Sequence, residues 1–109
     1  MRTIPVDTAP ATLLCATAPK PKIKDLATGE VATDRETGAS LYTLGIVFLA
    51  GGQGEIIAVT VPEPGLGKGI NQGAQLSVNA LVAIPWENVR DGQMKHGIAF
   101  RAAAVTVRG

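Results

Sequence analysis

Residues 39–62, ASLYTLGIVFLAGGQGEIIAVTVP, hold two apolar, β-branched-rich runs joined by Gly51, Gly52, Gln53 and Gly54. The first run sets Tyr42, Leu44, Ile46 and Phe48 on one side, with Thr43, Gly45 and Val47 on the other. The second alternates Ile57, Val59 and Val61 against Ile56, Ala58 and Thr60. Strand side chains point alternately to two faces, so a period of two interrupted by glycines is the signature of a β-hairpin. A lone hairpin is marginal in water, and further strands must cover its apolar face. The stretch commits the chain to an all-β domain.

At 109 residues one core is expected, with residues 1–10 as an N-terminal arm or short edge strand and residues 11–109 as a single domain. Residues 11–18 read as the first long strand, interrupted at Pro19, Lys20 and Pro21 because proline removes ladder donors. Two similar turns follow, Asp25 to Gly29 and Asp34 to Gly38. In each, the aspartate can accept hydrogen bonds from the turn and the glycine can take positive φ, which predicts a protruding polar hairpin. The glycine-rich residues 63–75 read as a connecting loop with one helical turn near Ile70. Alternation then resumes, placing Leu76, Val78, Ala80, Val82, Ile84 and Trp86 on one face. Residues 87–95 read as a charged loop and residues 97–107 as a last strand. No segment shows a capped helical period. About five long strands in a chain of this size fit a five-stranded Greek-key barrel, OB-fold-like. A small open sandwich or an SH3-like barrel are the alternatives.

Ten basic and nine acidic residues leave a net charge of +1, so an electrostatic footprint must come from clustering. The lone Cys15 excludes an internal disulfide and fits a reducing cytoplasm as a small buried thiol. No apolar block reaches signal-peptide or transmembrane length, so a cytoplasmic protein without a membrane partner is expected. His96 is the single histidine, which rules out a histidine cluster for a metal. Gly65, Leu66, Gly67, Lys68 and Gly69 lack the Ser/Thr and the following helix of a phosphate loop. No catalytic residue, metal or cofactor is expected. The chain does not read as an enzyme.

The basic residues are more informative. Lys20, Lys22 and Lys24 alternate along one strand edge and can point the same way. Arg35 lies in the neighbouring turn, Arg90 and Lys95 in the charged loop, and Arg101 on the final strand. On an OB-like barrel these can line one groove with Tyr42 at its edge. Single-strand binders combine such a groove with aromatic faces on which bases stack. Tyr42 shares parity with Leu44 and Ile46, so it either caps the core or stacks. Trp86 reads as core or rim, and Phe48 and Phe100 as core.

Two resemblances add to this. The order of features from Gly38 through Tyr42 to Val59, Thr60, Val61 and Pro62, and again at Gly92 and Gln93, resembles the gene V proteins of filamentous phages. That resemblance implies a single-stranded-DNA-binding OB-fold homodimer in which Tyr42 stacks on bases while Arg35 and the preceding lysines meet phosphates. A second aromatic on the same strand is missing here, Ala50 standing near its position. Lys24-Asp25, Thr28-Gly29-Glu30, Asp34 to Gly38, Leu41-Tyr42, Val59 to Pro62, Pro85-Trp86-Glu87 and Gly97 to Ala102 are similar to the Pra-type activators of replication, integration and excision in actinobacterial mobile elements. That resemblance implies a regulatory role. The expected function is thus binding of single-stranded DNA, or RNA, in the replication or transfer of a plasmid, phage or integrative element. The alternative is a protein-interaction or transcription-regulatory module that contacts a replication or transcription protein without binding DNA.

Overall fold

The alternation of residues 41–62 produces the longest ladder of the molecule. In the computed structural model, β5 (Leu41–Ala50) and β6 (Gln53–Pro62) pair in register from Leu41↔Pro62 to Ala50↔Gln53. Gly51 and Gly52 join them at φ 60° and 77°. Positive φ at both central residues gives a two-residue turn whose twist matches its strands. The structure describes residues 3–9 and 11–108, without the side chains of Asn88, Arg90, Lys95 and His96.

The remaining strands are β1 (Ile4–Pro5), β2 (Thr12–Pro21), β3 (Ile23–Asp25), β4 (Glu30–Val31), β7 (Leu76–Asn79), β8 (Val82–Arg90), β9 (Gln93–Arg101) and β10 (Ala104–Val107). A six-stranded sheet runs in the order β1-β8-β9-β6-β5-β2, with β10-β7 and β3-β4 as separate pairs. All its ladders are antiparallel except β6 with β9, at Val59↔Phe100 and Thr60↔Arg101. The all-β class is as expected. The architecture is a mixed six-stranded sheet rather than a closed five-stranded Greek-key barrel. The junction that would close it, between β2 and the residues before β7, is one bridge (Leu14↔Gln75) flanked by hydrogen bonds between Cys15 and residues 73–74.

Inner-face residues of three strands form the core: Leu13 and Cys15 from β2, Leu44 and Ile46 from β5, Val59 and Val61 from β6. Leu76 of β7, Val105 of β10 and Ile70 of the connecting loop close over them. Phe48 and Phe100, expected in the core, are partly buried against it. The helical turn expected near Ile70 forms instead at Glu63–Gly65 as a short 3-10 turn. Gly65 is needed there, because a Cβ would stand 2.0 Å from the carbonyl oxygen of Ala103. Strand β2 continues through Pro19 to Pro21 by shifting register against β5 between Cys15 and Thr17 and again before Lys20. Such bulges spare the ladder from the missing proline donors.

The chain from Leu76 to Val107 differs most from the sequence expectation. The pairings Leu76↔Val107, Asn79↔Ala104, Val82↔Arg101 and Arg90↔Gln93 keep one register, so β7–β8 and β9–β10 form one long hairpin with a bend. Ala80 sits at the bend with φ 56°. This left-handed residue inverts parity: Leu76 faces the core before it, and after it Leu81 does, which turns Val82, Ile84 and Trp86 to the opposite face. The expected single face from Leu76 to Trp86 is therefore broken, and Trp86 is 41% exposed. Residues 87–95 are not a loop. Asp91 (φ 53°) and Gly92 (φ 74°) make another two-residue turn, and the strands run up to it on both sides.

These faces predict opposite sensitivities. Leu44→Ala should lower unfolding stability by about 2–5 kcal/mol, since Leu44 is fully buried. Ile56→Ala, at a position 73% exposed, should change it by less than about 0.5 kcal/mol. Urea denaturation midpoints measure both.

Candidate nucleic-acid interface

The outer face of the sheet is set by the core beneath it. Because Leu44 and Val59 point inward, Thr43 and Thr60 point outward, and they lie opposite each other. The ladders extend this pair to Lys20 on β2, Arg101 on β9 and Val82 on β8. One row, Lys20–Thr43–Thr60–Arg101–Val82, thus crosses five strands on a single face. The adjoining row is Thr17–Gly45–Ala58. Gly45 is buried under Thr17: its N–H donates to the Thr17 hydroxyl at 2.8 Å, and a Cβ there would stand 2.5 Å from that oxygen. A groove of about 400 Å³ lies along Thr17, Lys20, Thr43, Gly45 and Ala58. A second, of about 620 Å³, is lined by Asp34, Arg35, Val82, Ile84 and Arg101.

The two Asp-to-Gly turns fold alike. Asp25 Oδ1 accepts the N–H of Ala27 at 2.9 Å and Asp34 Oδ1 that of Glu36 at 2.8 Å, while Gly29 and Gly38 take φ of 74° and 76°. The first turn caps the exposed β3–β4 hairpin. The second lies against the outer face over the buried Leu41, and its Asp34 Oδ2 accepts a hydrogen bond from Arg101 Nη2 at 2.5 Å. The Glu36 N–H and, after it, the Arg101 guanidinium hold the Asp34 carboxyl below the usual carboxylate range, against the opposing effect of desolvation.

The expected site residues separate into three groups. Lys20, Lys22, Arg35 and Arg101 gather on the outer face: Lys20 and Arg101 stand in the row, Lys22 Nζ donates to the Thr60 hydroxyl at 3.4 Å, and Arg35 lines the larger groove. Lys24 is exposed on β3 of the polar hairpin. Tyr42 pairs with Val61 and follows the inner-face parity, half-buried beside the core and turned away from the basic row. Arg90 and Lys95 occupy strand positions opposite Gln93 and Asn88 at the far end of the β8–β9 hairpin, and their side chains lie outside the described residues.

Three features of this face escape the sequence reasoning. Asp34 was legible as a turn residue but not as the carboxylate facing Arg101. The Thr43–Thr60 pair was assigned its parity without its neighbours. Trp86 lies on the same face as Arg101, Val82 and Ile84. The dipeptide Asp91-Gly92, a strong two-residue hairpin signal, would have placed Trp86 on that strand and opposite Gly97.

Among the described residues, no group of three or more His, Cys, Asp or Glu side chains could hold a metal ion, and no helix is long and apolar enough to cross a membrane. Cys15 is enclosed in the core, its thiol donating to the Thr17 carbonyl at 3.4 Å, and burial pushes its pKa up. It is no poised nucleophile.

Asp34 is the group whose titration bears on this face. Its folded pKa is lowered, so the stability that it contributes is full above its unfolded value and fades as pH falls through the folded value. Asp34→Asn should remove that acid-side loss and lower stability slightly at neutral pH. Thermal unfolding of both proteins from neutral pH down to about pH 3 measures this. No protein-family model matches the chain, and no curated protein or solved structure is significantly similar to it.

Proposed function

We propose that the protein binds single-stranded nucleic acid across the outer face of its sheet. One observation carries this reading: Lys20, Lys22, Arg35 and Arg101 converge on the Thr43–Thr60 row above a floor of small residues. Cations spaced along a groove suit a phosphodiester backbone, and the small, exposed Ala58 lets a strand lie close to the sheet. Among the described residues no exposed helix offers a major-groove reader, which favours single strands over duplex. The strand order supports an open OB-like arrangement: β2-β5-β6 followed by the β9–β10 side of the bent hairpin, its partner side meeting β2 at Gln75. On this reading the resemblance to gene V proteins extends to the fold. The similarity to Pra-type activators supports a role in the replication or transfer of a mobile element, with DNA or RNA as the ligand.

A second reading has its own observation. On the opposite face of the β8–β9 hairpin, Val89, Met94 and Ile98 are 66%, 64% and 60% exposed, and Val89 and Met94 are directly paired. Such a stripe fits protein contact, either in the homodimer that the gene V resemblance implies or with a replication or transcription protein.

Fluorescence anisotropy of a labelled single strand at several salt concentrations tests the first reading. Affinity should fall steeply with salt, and duplex should bind more weakly. Lys20→Ala and Arg35→Ala should each reduce the slope of log K against log salt by about one. Lys24→Ala, off the row, should change it less. Absence of binding at low salt would leave the protein-contact reading.

A further inference from the structure

We propose that Trp86, rather than Tyr42, is the surface on which a base of the bound strand stacks. This inference rests on the proposed single-strand function and names the residue that receives the base.

Trp86 and Gly97 are cross-strand partners in the β8–β9 hairpin. The indole lies against Gly97 so closely that a Cβ at residue 97 would stand 2.6 Å from Trp86 Cζ2, 2.8 Å from Cε2 and 3.1 Å from Nε1. The ring is thus seated on bare backbone on one side, and the residue is still 41% exposed. A ring supported this way loses little freedom when a second flat group covers it. Position completes the case. Val82, Ile84 and Trp86 share a face of β8, Val82 is paired with Arg101, and Val82, Ile84, Arg101 and Arg35 line one groove. Trp86 stands about 13 Å beyond Val82 along the strand, from the usual rise of a β-strand. A strand held by its phosphates at Lys20, Arg101 and Arg35 and continuing up the hairpin reaches the indole. Tyr42 has the opposite parity and cannot be reached by that path.

Trp86 is the single tryptophan, so intrinsic fluorescence reports on it directly. An oligothymidylate and an abasic oligomer of equal length are titrated into the parent protein and into Trp86→Ala, Trp86→Phe and Gly97→Ala. Binding is followed by anisotropy of a label on the oligomer. Oligothymidylate should quench the parent's fluorescence and the abasic strand should not. Trp86→Ala should weaken oligothymidylate binding roughly tenfold while leaving abasic binding and the salt slope as in the parent. Trp86→Phe should retain most of the affinity. Gly97→Ala, which displaces the ring, should lose it. If the parent binds oligothymidylate without quenching and Trp86→Ala binds equally well, the stacking role is overturned and the phosphate-binding face stands. If the parent binds neither oligomer at low salt, both fall. Should Trp86→Ala not fold, the quenching contrast and the Trp86→Phe affinity decide.

Discussion

Burial of Leu44, Ile46, Val59 and Val61 on one side of the β5–β6 ladder commits Thr43, Gly45, Ala58 and Thr60 to the other. A slip of one residue would exchange the two sets, moving threonine hydroxyls into the core and four large apolar side chains into water. The Gly51–Gly52 turn holds the register against that slip. Strands β2 and β9 inherit the same parity through their ladders, and this brings Lys20 and Arg101 to one face from residues far apart in sequence. The chemistry of the outer face follows from how the core is filled.

That face is not uniformly positive. The Arg101 guanidinium is engaged by Asp34, and the Lys22 ammonium rests on the Thr60 hydroxyl. The Asp34 side chain is 10% exposed and that of Arg101 39%, so the carboxylate is sheltered while the guanidinium stays open to solvent. On the proposed function, an arriving phosphate approaches the open side of the Arg101 guanidinium, beside its bond to Asp34. Arg35, in the same turn as Asp34, adds a cation beside that approach. A chain of net charge +1 can thus present a cationic track where the ladders bring basic residues together.

The parts of this structure legible in the sequence are those governed by local rules. The β5–β6 hairpin declared itself through period-two alternation and a glycine turn. The turns at Asp25 and Asp34 declared themselves through an aspartate that caps its own turn and a glycine that takes positive φ. The bend at Ala80 was hidden, because an alanine with φ 56° carries no mark in the sequence and alternation continues across it on paper. That one residue moved Trp86 from an expected core or rim position to the outer face. Asp91-Gly92 was visible but outweighed by the charged residues around it, which made two strands resemble a loop. Of the candidate site, clustering of Lys20, Lys22 and Arg35 followed from short spacings along the chain, whereas the Asp34–Arg101 pair joins residues that only the fold brings together.

The claim that the outer face is the binding surface is tested most directly by backbone amide chemical shifts, recorded by NMR during titration with a short oligothymidylate. The expected shifts are concentrated at Lys20, Thr43, Gly45, Thr60 and Arg101 and in the turn holding Asp34 and Arg35, with Val89 and Met94 unmoved. Shifts confined to the Val89, Met94 and Ile98 stripe, or to the β3–β4 hairpin, would contradict it.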